Sequence, residues 1–181
     1  MIDLKANVYQ TNFDGFIYEA NTGEIEDELP VFNYRQNDAD FVGLDFEAAF
    51  HLVEVLGGDF DFTARFDTVR AELSGGENLP RIPADRQGIG LVWDNQVWRA
   101  KLDITNVSKQ DQLAALEFLT DSYSDVSLNL TRRIKLGDNT LSLFLNGRNL
   151  TDEEQREHVS FVKDVAPAAG RRLELGLRFL F

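Results

Sequence analysis

The side chains that could do chemistry are few and thinly grouped. Asp59, Asp61 and Asp67 are separated by even numbers of residues, so an extended chain turns all three carboxylates to one face. Such a row could act as an acid pair or pass cations. The hydrated wall of a polar cavity needs the same residues without any fixed geometry, and the spacing favours that reading. Of the two histidines, His51 falls on the polar side of a strand pattern and His158 falls in a long connection. Zinc takes three or four ligands, and no H-x-x-x-H spacing is present. The absence of cysteine excludes disulfides, thiolate metal sites and cysteine nucleophiles. There is no G-x-S-x-G, no H-E-x-x-H, no P-loop and no glycine-rich dinucleotide turn. Neither an enzymatic centre nor a cofactor is implied.

The 181 residues carry 31 acidic and 18 basic groups, a formal net charge of −13. That surface repels phosphate backbones, which argues against nucleic acid as a partner. No run of about 18 apolar residues is present, so no transmembrane helix is expected. The opening MIDLKANVYQ has no basic segment followed by an apolar one; it reads as strand, not as a signal peptide.

The elements that must position these groups are strands. Period-two alternation runs through the chain and predicts about eight of them. Val42, Leu44, Phe46, Ala48, Phe50 and Leu52 alternate with Gly43, Asp45, Glu47, Ala49 and His51. Phe60, Phe62, Ala64 and Phe66 oppose Asp59, Asp61, Thr63, Arg65 and Asp67. Ile89, Leu91 and Trp93, then Trp98, Ala100, Leu102 and Ile104, repeat the pattern; so do Val126, Leu128, Leu130 and Ile134, and then Leu141, Leu143 and Leu145. The terminal RRLELGLRFLF gives the last strand. LGGD, DNQ and GDN are tight-turn signals. Residues 19–30, 74–87, 107–121 and 151–170 read as long connections. Within 107–121, Leu113, Leu116 and Leu119 have helical spacing and suggest a short amphipathic helix. Short and long connections therefore alternate, as in barrels with short periplasmic turns and long extracellular loops. Trp93 and Trp98 flank one short turn, where membrane-interface aromatics are expected. A water-soluble β-sandwich is the competing architecture. Its strands commonly run about five or six residues, shorter than most here, and it would not need so charged an opposite face.

The final eight residues, ELGLRFLF, resemble the C-terminal signal read by the barrel-assembly machinery, carried here by Glu174, Gly176, Phe179 and Phe181. The preceding stretch is more specific. Asn149-Leu150-Thr151-Asp152, Arg156, His158, Ser160, Lys163-Asp164, Pro167 and Gly170-Arg171 resemble the C-terminal end of TonB-dependent outer-membrane receptors. Asn12-Phe13-Asp14-Gly15-Phe16-Ile17, Leu29-Pro30-Val31-Phe32 and Leu79-Pro80-Arg81-Ile82-Pro83 extend the likeness upstream, nearest to receptors of the zinc-uptake type. The resemblance implies an all-β fold: an antiparallel transmembrane β-barrel segment of about eight strands in meander order. Residues 1–181 would form the C-terminal part of a larger barrel, with the plug and the remaining strands lying outside them. It implies a Gram-negative outer-membrane location in contact with lipid, uptake of a metal or metal chelate such as zinc or a ferric siderophore, and TonB as a partner through the plug. It also makes His158 a candidate metal ligand, against the alternative of a loop residue bonded to nearby carboxylates. A second functional class is a self-contained eight-stranded barrel with a structural or adhesion role.

Overall fold

A computed structural model describes residues 1–181. Eight strands make one sheet: β1 (Ile2–Glu26), β2 (Leu29–Val55), β3 (Gly58–Leu73), β4 (Arg86–Asp94), β5 (Trp98–Val107), β6 (Tyr123–Leu136), β7 (Asn139–Arg148) and β8 (Arg172–Leu180). Each pairs antiparallel with its neighbours in chain order. There is no second sheet to cover the first, which sets the sandwich aside. β1 and β8 do not pair with each other, so the sheet stays open and the eight strands do not close into a small barrel.

Register keeps the two faces separate. Leu52, Phe60, Trp93, Ala100, Leu130, Leu145 and Leu175 are successive cross-strand partners, giving a continuous apolar row from β2 to β8. One residue along each strand the row becomes polar, with Lys101 opposite Asn129 and Asn129 opposite Asn146. The apolar face is bare. Leu4 is 66% exposed and Leu175 85% exposed, and only 16 of 181 residues are buried. A water-soluble fold would bury such a face; a lipid-facing wall leaves it open.

Two glycines on the polar face make room for aromatic rings. A Cβ at Gly43 would come within 2.2 Å of the Tyr9 ring, and one at Gly176 within 2.2 Å of the Phe144 ring. Tyr9 pairs with Gly43 and Phe144 with Gly176, so each ring lies across the neighbouring strand.

Two expectations are corrected. Residues 19–30 are not a loop. β1 and β2 continue past Asn21 opposite Phe32 to a two-residue turn at Asp27-Glu28, where both residues have positive φ, 48° and 66°. That is the twist a tight hairpin requires. Hydrophobic alternation stops there because a strand that has left both lipid and lumen has no apolar face to show. The 107–121 segment contains no helix either. It is an irregular loop with a turn at Ala115-Leu116 and a bridge between Gln110 and Thr120, and Leu116 takes a φ of 62°. Gln110 draws the loop inward by donating to the carbonyls of Ile82 and Pro83 at 3.0 and 3.2 Å.

Candidate functional site

Several charges on the polar face of the spanning strands are paired with neighbours on that face. Lys5 meets Glu47 at 2.9 Å, Arg65 meets Asp103 at 2.9 Å, and Arg133 grips both oxygens of Asp94 at 2.9 Å. The three predicted carboxylates share this face but have separate partners. Asp61 contacts His51 Nδ1 at 2.6 Å, Asp67 takes Arg86 at 2.9 Å, and Asp59 accepts the Glu54 N–H at 3.3 Å. His51 also reaches Asp3 at 3.1 Å, so its ring bridges β1 and β3. The arrangement is a polar wall in which several charges are paired across strands, and the three carboxylates are not gathered on one another.

The long connections gather at the opposite end from the short turns. Leu79, from the β3–β4 loop, packs on Ala39, Ala71 and Leu73, with Phe16, Tyr18 and Phe41 around them. Above this small core the β5–β6 and β7–β8 loops are clasped together. His158 has a side chain 1% exposed, Lys163 6% and Glu117 8%. His158 Nε2 lies 3.1 Å from Glu117, and Thr120 Oγ1 lies 3.0 Å from Nδ1. The tautomer protonated on Nε2 meets both, donating to Glu117 and accepting from Thr120. Lys163 Nζ donates to Glu117 at 3.3 Å and to the Phe118 carbonyl at 2.9 Å. The Arg81 and Ala114 N–H groups complete the Glu117 carboxylate at 2.9 and 3.1 Å. Both ring nitrogens of His158 are thus occupied, and nowhere do three or more His, Cys, Asp or Glu side chains converge as a metal site.

Burial works against ionisation of Glu117, but the hydrogen bonds from His158, Ala114 and Arg81, together with the Lys163 charge, prevail and bring its pKa from 4.5 to about 2. The sign follows from linkage. A depressed carboxylate pKa contributes stability that is complete above 4.5 and lost as pH falls towards about 2. Acidification through that window should open the clasp. Amide exchange in residues 108–122 and 149–171 should accelerate there, ahead of exchange in the strands.

The motif residues of the β7–β8 connection are structural ties. Asn149 is 3% exposed with φ of 45°, a conformation asparagine tolerates. Its Nδ2 donates to the Glu153 carbonyl at 2.9 Å and the Ala169 carbonyl at 3.4 Å, while its Oδ1 accepts the Glu153 N–H at 3.1 Å. Asp152 accepts the Arg171 N–H at 2.8 Å, and a Cβ at Gly170 would stand 3.1 Å from that carboxylate. Arg156 caps the Lys163 carbonyl. The loop therefore returns to the sheet as a closed ring anchored at its base. Asn149→Ala should leave buried backbone groups unpaired and cost about 2 kcal/mol. A thermal melt followed by trypsin cleavage in 150–170 would register it.

Between these loops and the raised β1–β2 hairpin lies a cavity of about 150 Å³. Tyr18, Phe32 and Phe161 give it aromatic surface; Arg81, Glu117 and Lys163 give it charge. Arg81 pairs with Glu19 at 3.2 Å and stacks over Phe161 at 3.9 Å. The sequence pointed to His158 but not to its partners, because Glu117 and Arg81 arrive on other loops.

A bare apolar face, a wall of paired charges, short turns at one end and folded loops at the other define a segment of β-barrel wall. The family model described as "TonB dependent receptor-like, beta-barrel" matches residues 1–150, and the chain belongs to that family. It is a family of Gram-negative outer-membrane receptors, not of enzymes. Among solved structures, the copper transporter OprC superposes with a TM-score of 0.80 at 19% identity, over 97% of this chain and 28% of that one. That likeness shows the fold, and the chain spans about 28% of the length of the structure it matches. Comparison with curated proteins gives no match.

Proposed function

We propose that this chain forms the C-terminal part of the barrel of a TonB-dependent receptor that imports a metal or metal chelate across the outer membrane. The observation that carries this reading is the loop-capped cavity above the polar wall, at the end away from the short turns. At about 150 Å³ it is below the ~300–1,000 Å³ of a complete small-molecule site. It suits one arm of a larger ligand, or one side of a mouth completed by further strands. Aromatic faces next to paired cations and carboxylates favour an organic chelate, such as a ferric siderophore. The resemblance of the sequence to zinc-uptake receptors keeps zinc in view, and a copper transporter shares the fold. A ligand role for His158 would require the clasp to open, since both ring nitrogens are engaged. Energy would come from TonB acting on a plug contributed by other residues.

In this reading Glu174, Gly176, Phe179 and Phe181 address the chain to the assembly machinery, and Trp93 and Trp98 sit at the lipid interface beside the periplasmic turn. Phe179 and Phe181 have ring centroids 6.2 Å apart at the end of β8, which makes a paired aromatic handle. The self-contained barrel is disfavoured by the absence of pairing between β1 and β8. The decisive experiment is disruption of the gene, followed by uptake of labelled zinc, copper and ferric chelates under limitation of each. Loss of one uptake activity, restored by complementation, supports the proposal. Unchanged uptake of all three overturns the metal reading. An immunoblot band at 20.5 kDa in the outer membrane would favour the small barrel.

A further inference from the structure

Arg132 breaks the apolar face. In register it stands between Trp98 on β5 and Leu143 on β7, with Leu177 beyond. Leu130 and Ile134 flank it along β6. Its neighbour Arg133 points to the other face and holds Asp94. Arg132 has no ion-pair partner, although acidic groups outnumber basic ones by thirteen. Its guanidinium instead lies 5.1 Å from the centroid of the exposed Trp98 ring. Stacking uses the face of the guanidinium and leaves its N–H edges free for a planar, two-oxygen acceptor. Beside it runs a shallow groove lined by Leu130, Leu143, Leu145, Leu175 and Leu177.

A cation on the outer wall of a barrel is costly at mid-membrane and cheap near the interface. Arg132 lies close to the β6–β7 turn and beside a tryptophan, which places it at the interface on the short-turn side. We propose that Trp98, Arg132 and the leucine groove bind one phospholipid of the periplasmic leaflet. The guanidinium takes the phosphodiester, the indole packs against the glycerol ester region, and an acyl chain follows the leucines. Charge selects the occupant: an anionic oxygen pair is what the free edge of Arg132 lacks, and the groove continues from it without another polar group. The inference rests on the membrane location proposed above.

The test is native mass spectrometry of the protein purified from outer membranes in mild detergent, with phosphatidylglycerol added. R132Q and R132K would be compared with R178Q, since Arg178 pairs with Ser142 on the opposite face. Wild type and R178Q should each retain one phospholipid. R132Q should lose about tenfold in affinity, the usual scale for a charge-assisted hydrogen bond, with R132K between them. Equal retention by R132Q overturns the site, as does displacement by inorganic phosphate, which would show that the groove contributes nothing. Flotation of the same samples with phosphatidylglycerol vesicles separates the two readings. Failure of every variant to float would overturn the membrane location itself. Flotation of all, with equal lipid retention, would overturn only the site.

Discussion

Lys163→Met should release the two clasped loops while leaving the sheet intact. Lys163 and Glu117 have side chains 6% and 8% exposed and meet at 3.3 Å. Removing one partner of a buried pair leaves the other charge without compensation, which costs about 3–5 kcal/mol. The low end of that range, a local loss of about 3 kcal/mol, corresponds to a roughly hundredfold larger open population. Hydrogen exchange would show it in 108–122 and 149–171 but not in β3–β5. The double variant Glu117→Gln with Lys163→Met removes both charges and should recover much of the loss. If the single and double variants behaved alike, the clasp would not be electrostatic. The cavity shares Glu117 and Lys163 with the clasp, so ligand binding should weaken in step with loop opening.

The second large effect is expected at Gly176, where two explanations of one glycine can be separated. As part of the terminal signal it would be read by the assembly machinery. As a packing feature it makes room for Phe144, whose ring would meet a new Cβ at 2.2 Å. Gly176→Ala should therefore force the ring off its rotamer or push β8 from β7, at a cost of about 1–3 kcal/mol. A strain of that size at the β7–β8 pairing should sharply reduce folded protein in the membrane, measured as heat-modifiable mobility. Phe144→Leu in the same chain removes the clash. Recovery by the double variant identifies packing as the reason for the glycine; failure to recover, with a stable fold in detergent, identifies recognition. Gly43→Ala under Tyr9 serves as the comparison, because it has the same crowding and lies far from the terminus.

The strands were legible because lipid and lumen impose opposite demands on successive residues. The alternation of Phe60, Phe62, Ala64 and Phe66 with Asp59, Asp61, Thr63 and Arg65 records both environments. Where one environment ends, the code ends. Residues 19–30 looked like a loop because their strands stand clear of both, and because Asp27-Glu28 is not a usual tight-turn pair. Leu113, Leu116 and Leu119 suggested a helix by spacing alone. The backbone carbonyls there instead accept from distant side chains, Leu113 from Asn78, Leu116 from Asn21 and Phe118 from Lys163, which no local pattern encodes. The candidate site divides in the same way. His158 could be found in the sequence, but its binding partners could not, since Glu117 reaches it across 41 positions of chain and Thr120 across 38. Arg132 went unnoticed for a different reason. It occupies an apolar position in the alternation, and the period is strong enough on either side to hide a single exception.

The β1–β2 hairpin has a consequence of its own. Above Gln10 the strand continues for 16 residues to Glu26, roughly 50 Å of extended chain at about 3.3 Å per residue. β3 pairs with β2 only as far as Ala39, so residues 29–38 carry the hairpin beyond its neighbouring strand. Residues 24–29 are all exposed and none lines the cavity, so backbone pairing keeps the shape there. Such a structure is permissive towards substitution and conspicuous to whatever approaches the cell. On the proposed outer-membrane location, whatever approaches from outside would meet it early, and changes at residues 24–29 would alter that surface without touching the cavity, which Pro30 lines.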